Sequence, residues 1–174
     1  MKIKLFLSAA ICLSLSNITF ANNVDLCATK IQAGLYTDAV PYCEKACNLD
    51  EGSGCSNLGL LYDEGQGVKQ NYQQAKTYYE KACNLNVGEG CVGLGVLYAV
   101  GQGVRQNYQQ AKTYYEKACN LNEGLGCSGL GFLYAEGQGV RQSKRTAKEY
   151  FGKACDLGVQ LGCDKYRELN EQGY

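Results

Sequence analysis

Apolar side chains recur at helical spacing along much of the chain. Leu58, Leu61 and Tyr62 stand at positions i, i+3 and i+4, which is the pattern of a helix with one buried face. This spacing predicts a helix over residues 55–64. The sequence Gly-Gln-Gly at 65–67 then breaks it, because glycine is a poor helix former.

A second apolar stripe follows this break. Ala75, Tyr79 and Ala82 stand at i, i+4 and i+7 and predict a helix over residues 72–84. Gly59 has no side chain and the two alanines are small, so the axes of the two helices can approach closely. We therefore predict a helical hairpin in which a large residue at position 59 would cost packing stability.

The hairpin is repeated along the chain. Residues 55–90 and 91–126 are identical at 28 of 36 positions. A period of this length is typical of a solenoid, in which stacked units bury a continuous core. Each repeat also carries two cysteines separated by seven residues, and successive pairs start 36 residues apart. The four pairs are Cys47/Cys55, Cys83/Cys91, Cys119/Cys127 and Cys155/Cys163.

One set of motif residues carries a family resemblance. These residues are Leu58, Gly59, Tyr62, Gly65, Gly67, Val68, Ala75, Tyr78, Tyr79, Lys81 and Ala82. The pattern resembles the Sel1-like repeat, a relative of the tetratricopeptide repeat. The cysteine pair added to every unit resembles the Helicobacter cysteine-rich protein family of secreted, disulfide-stapled solenoids.

The resemblance covers residues 22–174 and implies an all-α fold, a right-handed α/α superhelical solenoid stapled by disulfides. The first unit departs from the pattern because its inter-helix loop is shorter, and the last unit is a single polar helix. We divide the chain into a signal peptide (1–21), a divergent first hairpin (22–51), three Sel1-like repeats (52–87, 88–123 and 124–159) and a capping helix (160–174).

The helix assignments place the members of each spaced cysteine pair close together. Cys83 falls near the end of one second helix, and Cys91 falls near the start of the next first helix. A disulfide between them closes the turn that joins neighbouring units, and the other three spaced pairs follow the same rule. Such a loop contributes about 2 to 3 kcal/mol per bridge by the loop-entropy estimate.

Cys12 lies in the predicted signal peptide, and two further cysteines remain in the mature chain, Cys27 and Cys43. Cys43 stands at the position of Tyr79, on the core-facing side of a second helix. Cys27 aligns with Leu58 or with Gly59, depending on the register of the shortened loop, and both positions face the second helix. We predict a Cys27–Cys43 bridge that fastens the first hairpin.

The N-terminus has the features of a secretory signal. A short basic start precedes an apolar run over residues 5–16, and Ala21 ends the segment with the small residue that signal peptidase favours. The run is shorter than the ~20 residues of a membrane-spanning helix. We therefore expect cleavage after Ala21, no membrane span afterwards and a secreted or periplasmic location, where disulfides persist.

Composition removes several classes of function. Histidine is absent, which excludes Ser-His and Cys-His nucleophile pairs and His-ligated zinc. Cys43 and Cys47 lie one helical turn apart and could bind zinc, but we favour disulfides and expect no metal and no cofactor. After signal cleavage the chain carries 15 basic and 17 acidic residues, so we expect no nucleic-acid surface.

Stacked helical hairpins curve, and extended ligands usually bind on the concave side that the first helices line. Helical spacing nominates the residues that point away from the second helices: Ser56, Asn57, Asp63, Glu64, Glu89, Val96, Ser128, Phe132 and Glu136. The segments 52–64, 88–100 and 124–136 contain no lysine or arginine. We expect an acidic to neutral groove with an apolar middle.

Three classes of function stay open. The first is a monomeric binding scaffold for a peptide, a protein or a peptidoglycan-type fragment. The second is a β-lactamase-type hydrolase, which the family resemblance implies. The known serine β-lactamase motifs are absent, and no catalytic residue is assigned; Ser56 or Ser128, with Glu64 or Glu136 as base, are the only candidates. The third is a secreted factor that acts on host cells.

Overall fold

The structure, a computed structural model, describes residues 22–174, and the predicted signal peptide lies outside them. Within this range the chain forms nine α-helices and no strand. The helices are α1 (Asn23–Gln32), α2 (Tyr36–Asn48), α3 (Gly52–Glu64), α4 (Tyr72–Asn84), α5 (Gly88–Val100), α6 (Tyr108–Asn120), α7 (Gly124–Glu136), α8 (Lys144–Asp156) and α9 (Gln160–Glu171).

The helices alternate between two layers. We call α1, α3, α5, α7 and α9 the first helices, and α2, α4, α6 and α8 the second helices. Each second helix packs against the first helix before it and the first helix after it. Neighbouring first helices from α1 to α7 also contact one another, whereas successive second helices make at most marginal contact within the described residues. The stack is therefore a solenoid that curves with the first helices inside.

The predicted helix over 72–84 is confirmed. The first helix of that repeat spans the whole segment 52–64 that we assign to the inner surface, and it begins three residues before the apolar stripe predicts. Glycines near its start argue against a helix on propensity alone. At Gly54, however, a Cβ would clash with the side chain of Ala46 on α2, so close helix packing requires glycine there. Tertiary packing thus decides where α3 begins.

Tyr79 on α4 locks two first helices together. A Cβ at Gly59 on α3 would lie 2.6 Å from one edge of its ring, and a Cβ at Gly93 on α5 would lie 2.7 Å from the other edge. The ring therefore occupies a slot that exists only because both helices have glycine there. The predicted close approach at Gly59 is confirmed, and the ring of Tyr79 explains it.

The structure brings all five predicted cysteine pairs to bonding distance. Four of them join a second helix to the next first helix, as in Cys83–Cys91, whose Cα atoms are 4.7 Å apart. The fifth, Cys27–Cys43, joins the two helices of the first hairpin with a Cα–Cα distance of 5.0 Å. Both of its cysteines are fully buried. The remaining bridges are Cys47–Cys55, Cys119–Cys127 and Cys155–Cys163.

Polar contacts add to the bridges between neighbouring units. Lys81 on α4 donates a hydrogen bond of 2.6 Å to the carbonyl of Cys47 and pairs with Asp50 at 2.9 Å. Lys117 repeats the first contact one unit later, on the carbonyl of Cys83 at 2.7 Å. Each lysine thereby binds the C-terminal end of a second helix, where backbone carbonyls lack helical partners.

Candidate functional site

A largely apolar cavity on the concave side lies between α3 and α5. It has a volume of about 380 Å³ and opens to solvent along one side. We call it the α3–α5 groove. It is lined by Ser53, Ser56, Asn57, Leu60, Asp63, Tyr79, Val87, Glu89, Val92, Gly93, Val96 and Leu125.

Five of the nominated residues line this groove. Ser56, Asn57 and Asp63 come from α3, and Glu89 and Val96 come from α5. Because Leu60 and Val92 also line it, the middle of the groove is apolar while its ends carry the carboxylates.

Glu64 stands apart from the groove although it follows Asp63 directly. It is exposed and does not belong to the lining. A helix turns by about 100° per residue, so neighbours in sequence point in different directions.

The other three nominated residues lie further along the solenoid. Phe132 contacts Phe151 of α8 edge-on, with 5.1 Å between the ring centroids, so it does not point away from the second helix as expected. Glu136 is exposed and lies 3.9 Å from Lys144. Both residues line a small cavity of about 70 Å³ between α7, α8 and α9.

Ser128 differs most from its expected position. Only 4% of its surface is exposed, and its hydroxyl oxygen is buried without a hydrogen-bond partner. Ser56 is also nearly buried, at 9%. Neither serine hydroxyl is hydrogen-bonded to a carboxylate or an amine in the described part of the chain, whereas a serine nucleophile requires such a base.

Sequence reasoning placed Tyr79 in the core and missed that it reaches the groove. Its ring is buried, but its hydroxyl passes between α3 and α5 and donates a hydrogen bond of 3.3 Å to Asp63 Oδ2. The glycine pair at 59 and 93 is the signal that could have revealed this path, because the ring lies between them.

Burial shapes the ionisation of this pair. Desolvation raises the pKa of Asp63 above 3.8, and the hydrogen bond from Tyr79 partly opposes that shift. Burial also raises the pKa of Tyr79 well above 10, and the nearby Asp63 carboxylate adds to the effect. No lysine or arginine lines the groove, so Asp63 has no ion-pair partner among residues 22–174.

The Asp63 carboxylate has no counterpart at the same position of the following units. Ala99 and Ala135 stand where Asp63 does in the following units, and Leu125 stands where Glu89 does. Tyr115, the counterpart of Tyr79, therefore has no carboxylate beside it, and burial alone raises its pKa to about 12. The repeats keep the frame constant and change the concave surface.

Neither a metal site nor a membrane span is found in the part of the chain that the structure describes. Residues 22–174 contain no cluster of three or more side chains of the types that ligate metals. None of their helices combines the length and the apolar character that crossing a bilayer requires.

Known proteins share this architecture. The Sel1 repeat family model matches residues 52–87, 88–123 and 124–159. A solved Sel1 repeat protein from Oxalobacter formigenes is 25% identical with a TM-score of 0.79, covering 88% of this chain and 61% of that chain. The structure of cysteine-rich protein B (HcpB) from Helicobacter pylori is 36% identical with a TM-score of 0.58, covering 81% of this chain and 95% of that chain.

Among curated proteins, a Helicobacter pylori protein named "Putative beta-lactamase HcpC" is 54% identical over 39 residues, which is 22% of this chain and 13% of that protein. The chain spans less than a quarter of the length of the curated relatives it matches. The three repeat matches, by contrast, cover more than half of this chain. The protein therefore belongs to the Sel1 repeat family, in the cysteine-rich group of which HcpB is a member.

Proposed function

We propose that the protein is an exported binding scaffold that holds a peptide or protein segment on its concave side. The observation that carries this proposal is the α3–α5 groove, whose apolar middle opens to solvent between two carboxylate-bearing ends. Solenoids of stacked helical pairs use their concave surface to bind extended ligands. The change of side chains from unit to unit at these positions, on an otherwise constant frame, supports the same function.

The five disulfides support a location outside the cytoplasm, because cytoplasmic thiols are kept reduced. A protein outside the cytoplasm can encounter cell-wall fragments, proteins of its own cell and proteins of other cells. A secreted role toward host proteins and a periplasmic role toward wall peptides therefore use the same proposed surface. We expect the protein to act as a monomer in both roles.

The test uses the oxidised mature chain and an array of 15-residue peptides together with soluble muropeptides. Val96 lies in the groove wall and is 37% exposed, so Val96→Asp removes apolar surface at little cost to the fold. Leu49 is 61% exposed in a turn between units, and Leu49→Asp is the matched control. We expect some of these ligands to bind the wild-type protein and the Leu49→Asp variant but not the Val96→Asp variant. Equal binding by both variants would contradict the proposal.

A β-lactamase-type activity is the second candidate, and it is supported by the name of the relative HcpC. Ser56 is the only nominated nucleophile that lines the α3–α5 groove, so it is the residue to test. Hydrolysis of a chromogenic cephalosporin that Ser56→Ala abolishes would favour this activity over simple binding. Hydrolysis that survives in both Ser56→Ala and Ser128→Ala would exclude both serines as the nucleophile.

A further inference from the structure

The polar and apolar parts of the α3–α5 groove follow one another at fixed distances along α3. With a rise of about 1.5 Å per residue, Asp63 lies about 4.5 Å from Leu60 and about 10 Å from Ser56 along the helix axis. Val96 and Val92 of α5 line the same stretch from the other side. A ligand that lies along the groove thus meets a carboxylate next to an apolar wall.

The surroundings of Asp63 favour binding of a positively charged group. It is partly buried, and the Tyr79 hydroxyl at 3.3 Å is the one side chain that donates a hydrogen bond to it among the described residues. It also stands in the last turn of α3, where the backbone carbonyls give the helix end a partial negative charge. The Asp63 carboxylate and the C-terminal end of α3 both repel an anion and attract a cation.

The structure points to one class of ligand. We infer that the groove binds a peptide segment in which a lysine or arginine contacts Asp63 and an apolar residue two positions away packs on Leu60. This inference rests on the proposed concave-face function and specifies its ligand.

The spacing of two residues follows from the geometry of an extended chain. Side chains at i and i+2 of an extended chain point to the same side and are about 6.6 Å apart, whereas the side chain at i+1 points to the opposite side. The Cβ atoms of Asp63 and Leu60, which are three residues apart on one helix, are about 5 to 6 Å apart. A long lysine or arginine side chain can cover the difference. The aliphatic part of a lysine or arginine can also cover apolar surface while its charged end reaches the carboxylate.

The surface between α5 and α7 provides a contrast within the same molecule. Between α5 and α7, Ala99 replaces Asp63 and Leu125 replaces Glu89, so no carboxylate stands at the position proposed to bind the basic residue; the carboxylates of that surface, Glu89 and Glu123, stand where Ser53 and Val87 do. A basic-apolar segment is therefore expected to bind at one place only, with a stoichiometry of one.

The experiment measures fluorescence anisotropy of a labelled nine-residue peptide against the oxidised mature chain. The peptide has a glycine and serine background, with leucine at its fifth position and lysine at its seventh. We expect one site, and binding weakened at least about tenfold when the lysine is replaced by glutamate. Moving the lysine to the sixth position points it away from the carboxylate and should weaken binding to a similar degree.

The matched protein variants are Asp63→Asn and Glu64→Gln. Both remove one negative charge from the end of α3, but only Asp63 lines the groove, and asparagine can still accept the hydrogen bond from Tyr79. We expect Asp63→Asn to weaken binding at least about tenfold and Glu64→Gln to change it less than about twofold. Thermal unfolding of both variants checks that neither loses the fold.

The outcomes separate this inference from the proposed function. If Asp63→Asn and Glu64→Gln weaken peptide binding equally, or if the glutamate peptide binds more tightly than the lysine peptide, the inferred basic-apolar ligand is wrong. Concave-face binding would still be supported in that case if Val96→Asp abolishes the binding of array peptides. If no peptide binds and Val96→Asp changes nothing, both proposals fail. Self-association of the chain in place of peptide binding, seen as a concentration-dependent mass, would also overturn the inference.

Discussion

The hydroxyl of Tyr79 on α4 lies 3.3 Å from the Asp63 carboxylate on α3 and donates a hydrogen bond to it. A residue of the outer helix layer thereby contributes a polar atom to the inner surface. This is possible because the ring passes between Gly59 and Gly93, where neither first helix has a side chain. One side chain thus joins two repeats, fills their core and orients the carboxylate of the groove.

Replacement of Tyr79 should separate the packing of its ring from the role of its hydroxyl. Phe151 occupies the equivalent position in the last repeat and is 1% exposed, so the frame accepts a ring without the hydroxyl. We expect Tyr79→Phe to lower the free energy of unfolding by about 1 kcal/mol. Tyr79→Ala should cost about 3 to 5 kcal/mol, because it leaves a cavity between α3 and α5. Urea unfolding measures both, and equal costs would contradict the packing role.

Gly93→Ala should destabilise the protein even though alanine is the better helix former. Its Cβ would lie 2.7 Å from the Tyr79 ring, which is held on its other edge by α3. We expect a cost of about 1 to 3 kcal/mol. Gly152→Ala on α8 is the control, because its Cβ would meet only the partly exposed Tyr166 ring at 3.2 Å. The control should be neutral or stabilising, by up to about 1 kcal/mol.

The stability of the folded chain should depend on pH through Asp63. Burial raises the pKa of this carboxyl above 3.8, so the folded protein binds the proton more tightly than the unfolded chain. Stability contributed by the protonated carboxyl is therefore lost as the pH rises from about 3.8 through the folded-state pKa. Asp63→Asn cannot ionise, so its stability relative to the wild type should increase across this window and stay constant above it. Urea unfolding between pH 3 and pH 8 tests this, and a constant difference would contradict it.

Removing a disulfide should have different consequences in the middle and at the end of the solenoid. Cys83→Ala with Cys91→Ala removes the link between α4 and α5, and we expect a loss of about 2 to 3 kcal/mol. Units of a solenoid contact only their neighbours, so the two halves should then unfold in separate steps.

Cys155→Ala with Cys163→Ala is the matched comparison at the C-terminal end. This pair joins only α9 to α8, so its removal should increase hydrogen exchange in α9 and leave the other helices protected. A single cooperative transition in both double variants would show that packing and polar contacts alone couple the units.

The repeated hairpins and the cysteine pairs could be predicted because both depend on local spacing. A period of 36 residues places Cys83 and Cys91 on either side of one turn, whatever the rest of the fold. The Cys27–Cys43 pair followed from the position of Cys43 on the core side of its helix. The apolar stripe alone does not reach the start of α3, because that start depends on contact with Ala46, which lies on another helix.

The candidate site was less accessible to sequence reasoning than the fold. Helical spacing placed Asp63 and Val96 correctly on the inner surface, since both depend on the direction of a side chain around one helix axis. It could not show that Ser128 is buried or that Phe132 contacts Phe151, because those results depend on how neighbouring helices and their side chains pack. Proposed ligand binding at these residues stays a prediction.

The order of the sulfur bridges along the chain has a consequence for how such arrays change in length. Every bridge joins a cysteine to the next cysteine along the chain, and each 36-residue period holds two cysteines. Duplication or deletion of one whole period therefore adds or removes two thiols at once and keeps the number of cysteines after residue 21 even. A longer or shorter descendant would inherit a complete set of crosslinks, with no orphan sulfhydryl to misdirect its oxidation.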